Sequence, residues 1–502
     1  MKLSYWNAAA AGTLLAAAAA GAAPRPDDFG AWVEKQLHAF SETLFGFRQP
    51  LEAPSPAVAV PHRAPGQKAS EQILLAKGLK AEYVTRTAAN AVDMLAFWPN
   101  AENPRYLMAC IEGGRQVIGA FPNGRPKYNP SVQRIDLKTG EAVTLLRGLT
   151  SCDPVRVTPW GTLVAGEEAT DGGLYEFLDP MRTENLTVID RAAGIIQDID
   201  GAPSSLVRKQ SALPVIAYEG IGITDRGVMY AGDELRPGTG TKDKDGGAIF
   251  KFVPAVPYAG GSVSGLDQSP LAAGKVYAMQ VSCVDNTQQY GQGCEVGDAA
   301  WIEVASATAR GDAHAKGATG YYRPEDGHLD PEYEDTAHAE AVRFCWTNTG
   351  NEEARNYGEV VCLEDTLPTL ASATVRSTAV NRFVEGDTRL SAPDNLDFQP
   401  RTGNIYVIED HDNGEVWACL DDGEDRDVKS DGCVAVASVI DPSAEPSGWA
   451  FTADGQTAYV SIQHSDDSKM PKLDDYGTDD LLKITGFKVP RERRTKGSCH
   501  RR

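Results

Sequence analysis

The 502-residue chain is 42% hydrophobic and carries 49 glycines, a globular composition that excludes a disordered chain and suits an all-β protein with a large core and many turns. Its formal net charge of −22 argues against nucleic acid and anionic membrane surfaces as partners, and fits an exported, soluble protein loaded with divalent cations.

The chain opens with Lys2, an alanine-rich apolar run and a small-residue exit at Gly21, Ala22 and Ala23 before Pro24. This pattern predicts a removable secretory signal over residues 1–23 and a periplasmic or secreted protein. A retained anchor is the alternative, but the run is short and ends in a cleavage-like site. Residues 24–84 read as an N-terminal helical and extended arm. One helix is expected within DDFGAWVEKQLHAFSETLFGF, packed outside the main domain, followed by the linker SPAVAVPHRAPGQKAS. The main domain is expected over 85–490, and a basic, solvated tail over 491–502.

Within the main domain one pattern recurs. In PDNLDFQPRTGNIYVIED, Leu396 and Phe398 meet a turn at Pro400, Thr402 and Gly403, after which Ile405, Val407 and Ile408 run to Glu409 and Asp410. The two ends of a hairpin are neighbours, so Asn395 and Glu409 share one rim. The same spacing places Asp153 with Glu167 and Glu219 with Asp233, and a looser copy runs from Glu445 to Gln463. YLMACIE ending at Glu112 and EVVCLED ending at Glu364 and Asp365 supply two further exit strands. Six recurrences predict a six-bladed β-propeller, because each hairpin leaves an apolar face that only the next can cover. The acids then ring one end of the channel. So many carboxylates cannot all stay ionised without cations, for which Ca²⁺ is the expected choice.

The interval from Glu234 to Glu364 is too long for one repeat, and predicts an inserted subdomain in the middle blades over Gly260 to Ala315, stapled by Cys283 and Cys294. It ends in YYRPEDG, where Arg323 and Glu325 flank a proline in a polar turn and can aim a guanidinium and a carboxylate into the channel mouth. The other local cysteine pairs are Cys345 with Cys362 and Cys419 with Cys433, which leaves Cys110, Cys152 and Cys499. No CxxC is present, and His328, His411 and His464 read as surface or satisfied residues rather than zinc ligands.

Five stretches, TPWGTLVAGEE, YEGIGITDRGVMYAGDE with GAIFKFVP, YYRPEDG, PDNLDFQPRTGNIYVIED and EPSGWAFTADGQTAYVSIQH, stand in the order seen in the PhoX-type alkaline phosphatases. The chain resembles that family over roughly residues 100–465. The resemblance implies a six-bladed propeller whose channel holds Ca²⁺ and Fe³⁺ and binds a phosphate ester. It implies metal roles for Glu167, Glu168, Glu219, Asp233, Glu234 and Glu325, and a place for Arg323 on the phosphate oxygens. The family's iron-binding cysteine falls on Asp153, with Cys152 one position away. Either a bulge lets Cys152 serve, or Asp153 replaces thiolate by carboxylate and favours calcium alone. Asn395 and Glu445 complete the candidate ligands.

The expected function is a secreted, metal-dependent phosphoesterase acting on a small-molecule phosphate ester, with Arg323 and Glu325 as catalytic candidates. A monomer is expected, with no membrane attachment after signal removal. No GxSxG elbow or Walker loop offers a different chemistry. The rivals are a calcium-dependent lactonase or esterase propeller and a non-catalytic, calcium-stabilised binding propeller. Arg323 discriminates, since a neutral lactone has no need of a cation.

Overall fold

Alternating apolar residues on either side of a turn give antiparallel hairpins, and six of them carry the architecture. In chain order their strands are β1 (Val92–Trp98) and β2 (Tyr106–Ile111), β3 (Cys152–Val157) and β4 (Leu163–Glu167), and β5 (Tyr218–Ile223) and β6 (Met229–Asp233). The others are β7 (Pro324–Leu329) and β8 (Val342–Asn348), β9 (Pro393–Phe398) and β10 (Ile405–Glu409), and β11 (Glu445–Phe451) and β12 (Thr457–Gln463). The computed structural model describes residues 29–56, 63–236, 246–281, 296–420 and 432–489. The expected signal, the basic tail, Cys283, Cys294 and Cys499 lie outside them.

The first strands β1, β3, β5, β7, β9 and β11 pack one against the next, and β11 returns to β1, so the circle closes around a channel. Each hairpin continues outward into a sheet, which makes an all-β, propeller-like fold. An apolar core fills every gap between successive hairpins. Met108 and Leu145 meet Val155 and Tyr175 between the first and second, for example, and Tyr406 and Ile408 meet Trp449 and Phe451 between the fifth and sixth.

Four of the sheets stand alone, with six, four, five and four strands around β1–β2, β3–β4, β9–β10 and β11–β12. The hairpins β5–β6 and β7–β8 instead share one ten-stranded sheet, so six separate sheets are not what the chain forms. The stretch expected as an inserted subdomain explains this. Strands Gly274–Val281 and Gly297–Val304 extend the β5–β6 sheet outward, and helix α2 (Ala309–Ala315) follows. The outer edge of Gly297–Val304 then pairs with Thr378–Glu385, which satisfies backbone groups that would otherwise form an open edge.

Two local expectations also change. RPEDG is no turn, because Pro324 opens β7. EVVCLED is the third strand of its unit, and Asp365 at its end is buried against Tyr230 and Lys251.

Helix α1 (Phe29–Leu44) lays Leu37, Val33 and Leu44 on the core shared by the fifth and sixth hairpins. Strand Ile73–Leu75 adds an edge to the five-stranded sheet, and Lys80–Ala89 pairs with Thr478–Thr485, so the start of the chain completes the last sheet. The boundary expected between residues 84 and 85 runs through this strand. Arg63, in the stretch read as a linker, is fully buried and bonded to Asp480. No helix among the described residues is long and apolar enough to cross a membrane.

Candidate metal centre

Every first strand carries the same irregularity, in which two of its residues face one residue of its partner. The bulged pairs are Asp93–Met94, Asp153–Pro154, Glu219–Gly220, Glu325–Asp326, Asp394–Asn395 and Gly448–Trp449. A bulge bends the strand and re-aims one side chain, and here the first residue of five of the six pairs is an acid. Glu219, Glu325 and Asp394 each bring a carboxylate oxygen within 4.8 Å of the other two. Asp153 lies within hydrogen-bonding reach of both Asp93 and Glu219. Five carboxylates therefore converge in the channel.

Burial, reinforced by neighbouring carboxylates, disfavours their charged forms. It pushes Asp93 up to about 8 and Asp153, Glu219 and Asp394 well above the ordinary carboxylate range. Burial also raises Glu325 to about 8, although Arg323 pulls the other way. Asp153 is 2% exposed, and among the described residues only its fellow ring acids Asp93 and Glu219 come within hydrogen-bonding reach of its carboxylate. A buried carboxylate whose only polar neighbours are other acids is costly, and an all-oxygen cluster of this kind fits a hard cation.

The sixth position is Gly448, at φ +55°, where an added Cβ would lie 2.2 Å from the Asp93 carbonyl oxygen. Gly448→Ala is expected to lose about 1–3 kcal/mol of stability, read as a lower denaturation midpoint, because backbone conformation and space both forbid the methyl group.

In four of the hairpins the backbone before the bulge is left-handed and fixed by a repeated hydrogen bond. The amides of Glu112, Glu168, Thr349 and Asp410 donate to the carbonyls of Ala91, Ser151, Arg323 and Ala392. These four acceptors have φ of 64°, 44°, 57° and 46°, a left-handed conformation that non-glycine residues adopt at a cost. Each stands two residues before a channel acid.

A second tier surrounds the mouth, formed by the residue that follows each second strand: Glu112, Glu168, Glu234, Thr349, Asp410 and His464. Burial and the charge of Glu112 raise Glu168 to about 10. Arg323 reaches across both tiers. Its Nε is 2.7 Å from Glu234 Oε1, and its terminal nitrogens are 2.8 Å from Glu325 Oε1 and 3.3 Å from Asp410 Oδ2. Burial works against its charge, but Glu325, Glu234 and Asp410 outweigh it and keep the guanidinium ionised. His464 sits 3.3 Å from Glu445, whose hydrogen bond raises the imidazole to about 9.

Of the residues singled out in the sequence, Asp153, Glu219 and Glu325 meet in the inner ring, and Glu168, Glu234 and Arg323 stand in or reach the mouth tier. Others go elsewhere. Glu167 accepts from Arg191 Nε and from the amides of Thr150 and Gly173, and Asp233 from Arg310 and the Ala217 amide. Glu409 accepts likewise from the Ser391 and Glu415 amides. These exit acids brace the loop that leads into their own first strand.

Asn395 is the second residue of its bulge; its Oδ1 accepts from the Gly448 amide and lies 2.7 Å from Ser447 Oγ. Its place in the ring belongs to Asp394, because the turn Gln399–Asn404 is one residue longer than Thr158–Thr162 and equal counting from the exit acid lands one residue late. Cys152 is bonded to Cys110 and offers no thiolate, and Glu445 turns to His464. Sequence reasoning missed Asp93 and Asp394, and counting back from each turn would have found Asp394.

Residues 142–466 match the family model described as Alkaline phosphatase PhoX. Among solved structures the chain is similar to Pseudomonas fluorescens PhoX in complex with vanadate, a transition state analogue, with 16% identity and a TM-score of 0.53 over 88% of this chain and 98% of that one. That likeness speaks for the fold. The PQQ-bound form of an aldose sugar dehydrogenase from Streptomyces coelicolor aligns at 13% identity and a TM-score of 0.41, over 82% of this chain and 99% of that one. No curated protein matches the sequence.

Proposed function

The chain belongs to the PhoX alkaline phosphatase family, and from that premise we propose a metal-dependent phosphoesterase whose channel carboxylates hold Ca²⁺ and whose Arg323 receives the phosphoryl group of a small phosphate ester. The observation that carries this reading is the five-carboxylate ring, three of whose members bring oxygens within 4.8 Å of one another, with a charged Arg323 braced above it. We read the ten-stranded sheet as two blades joined through their outer strands, which makes the propeller six-bladed. The alanine-rich start of the chain supports export, and the disulfides suit an oxidising compartment.

Asp93, Asp153, Glu219, Glu325 and Asp394 would hold the ions. The set is all oxygen and anionic, and with Cys152 taken up by Cys110 it favours calcium over thiolate-bound iron. Bound there, calcium would neutralise charge spread over the phosphoryl oxygens.

The chain's own residues do the remainder. Thr349 Oγ1 donates to Glu325 Oε1 at 2.7 Å and fixes the carboxylate that also holds Arg323. The guanidinium is thereby aimed, and its longest contact, to Asp410, is the one an arriving phosphate oxygen replaces most readily. Water is the proposed source of the attacking oxygen.

The metal-free mouth carries the carboxylates of Glu112, Glu234 and Asp410, and would repel a phosphate dianion. Inorganic phosphate is therefore expected to bind the calcium-loaded protein and not the chelated one, by calorimetry. Equal binding in both states would remove the metal from substrate recognition.

A further inference from the structure

We infer that the Cys110–Cys152 disulfide is a positioning element of the metal centre, holding the two bulges that present Asp93 and Asp153, so that its reduction weakens calcium binding. The inference rests on the reading of the carboxylate ring as a calcium site.

Cys152 is the residue immediately before Asp153, and pairs across its hairpin with Glu167. Cys110 is the single residue on β2 that faces the bulge carrying Asp93. The bond thus joins two neighbouring sheets at their ring acids, with the two Cα atoms 5.1 Å apart and both cysteines fully buried. The sulfur of Cys110 also lies 3.4 Å from the carbonyl oxygen of Pro154, the second residue of the Asp153 bulge.

Asp153 needs such a hold more than its neighbours do. Glu325 receives the Thr349 hydroxyl and Asp93 lies against the Ser447 hydroxyl, whereas Asp153 has only its fellow ring acids beside it. Its aim depends on the backbone, which passes through left-handed Ser151 just before the bridged cysteine. The other described disulfides have no such reach. Cys345–Cys362 joins facing residues of β8 and its neighbour in the same sheet, and Cys419–Cys433 ties the end of one strand to the residue just before the next strand of the same sheet. Groups that orient metal ligands typically change metal affinity by about 10- to 100-fold when removed.

Reduction by a dithiol such as dithiothreitol breaks the S–S bond and leaves two protein thiols, while the dithiol closes to its own disulfide and supplies the two electrons and two protons. Because linkage is reciprocal, calcium must favour the bridged form by the factor by which the bridge favours calcium. The test equilibrates the full protein with reduced and oxidised dithiothreitol, with and without Ca²⁺, and counts trapped thiols at each cysteine by mass spectrometry. Calcium is expected to shift the reduction of Cys110–Cys152 to an at least ~10-fold more reducing ratio and leave the other two disulfides unmoved. The double variant Cys110→Ser, Cys152→Ser is expected to bind calcium at least ~10-fold more weakly with unchanged circular dichroism. If that variant does not fold, the linkage experiment decides. Calcium that acts alike on all three disulfides, or on none, overturns the inference. Calcium that fails to bind even the oxidised protein overturns the metal reading beneath it.

Discussion

Arg323→Ala is expected to lower kcat/KM for an aryl phosphate by about 100- to 1000-fold while calcium binding stays intact, the scale seen when one preorganised donor to a developing charge is lost. The guanidinium is built in before substrate arrives. A left-handed backbone at φ 57° turns it over the channel, and Glu234, Glu325 and Asp410 hold it there. Removing it makes the mouth more negative, so calcium affinity should hold or rise, whereas phosphate binding should collapse. Arg323→Lys is expected to recover little, since a point charge cannot serve three carboxylates and a phosphate at fixed angles. Loss of calcium in step with activity would reassign Arg323 to the support of the metal site alone.

Chelation is expected to lower the melting temperature by several degrees, and by more as pH rises. Ions bound only by the folded state stabilise it by mass action, about 2.7 kcal/mol per site at a hundredfold excess over Kd. Without them the ring keeps its protons. Asp93 and Glu325 titrate near 8 in the folded protein, well above the ordinary carboxylate value near 4 in the unfolded chain. Between those pH values the folded state binds more protons than the unfolded one, so metal-free stability is present below pH ~4 and is lost as pH climbs through about 8. Calcium is expected to reverse the trend, because each ion would displace protons and bind more tightly as the ring ionises. This linkage would also give the site its alkaline preference. Melting curves across that range, with calcium and with chelator, should diverge with pH, and parallel curves would contradict a protonated ring.

The hairpins were legible where a short turn separates two alternating runs, as in TPWGTLVAGEE and GITDRGVMYAGDE. They were illegible where the turn is long and polar, as between β7 and β8, and RPEDG was then read as the turn itself. Ring positions follow the bulge, and the bulge is counted from the turn. Two five-residue turns made the spacing rule work for Asp153 and Glu219, and one six-residue turn displaced it from Asp394 to Asn395. Exit acids looked like ligands because an acid at a strand end is the same letter whether it faces a metal or a backbone amide. Nothing in the sequence could say that Glu167 and Asp233 are consumed by Arg191 and Arg310. The Cys110–Cys152 bond spans 42 positions and two sheets, and only the closed circle of first strands brings its ends together.

The most direct test of the account is phosphate release from an aryl phosphate at alkaline pH by the purified protein, assayed with calcium, after exhaustive chelation, and after calcium is restored. The account predicts turnover with calcium, none after chelation and recovery on restoration. Phosphate release that ignores chelation, or a calcium-dependent turnover of lactones with no phosphate released, would contradict it.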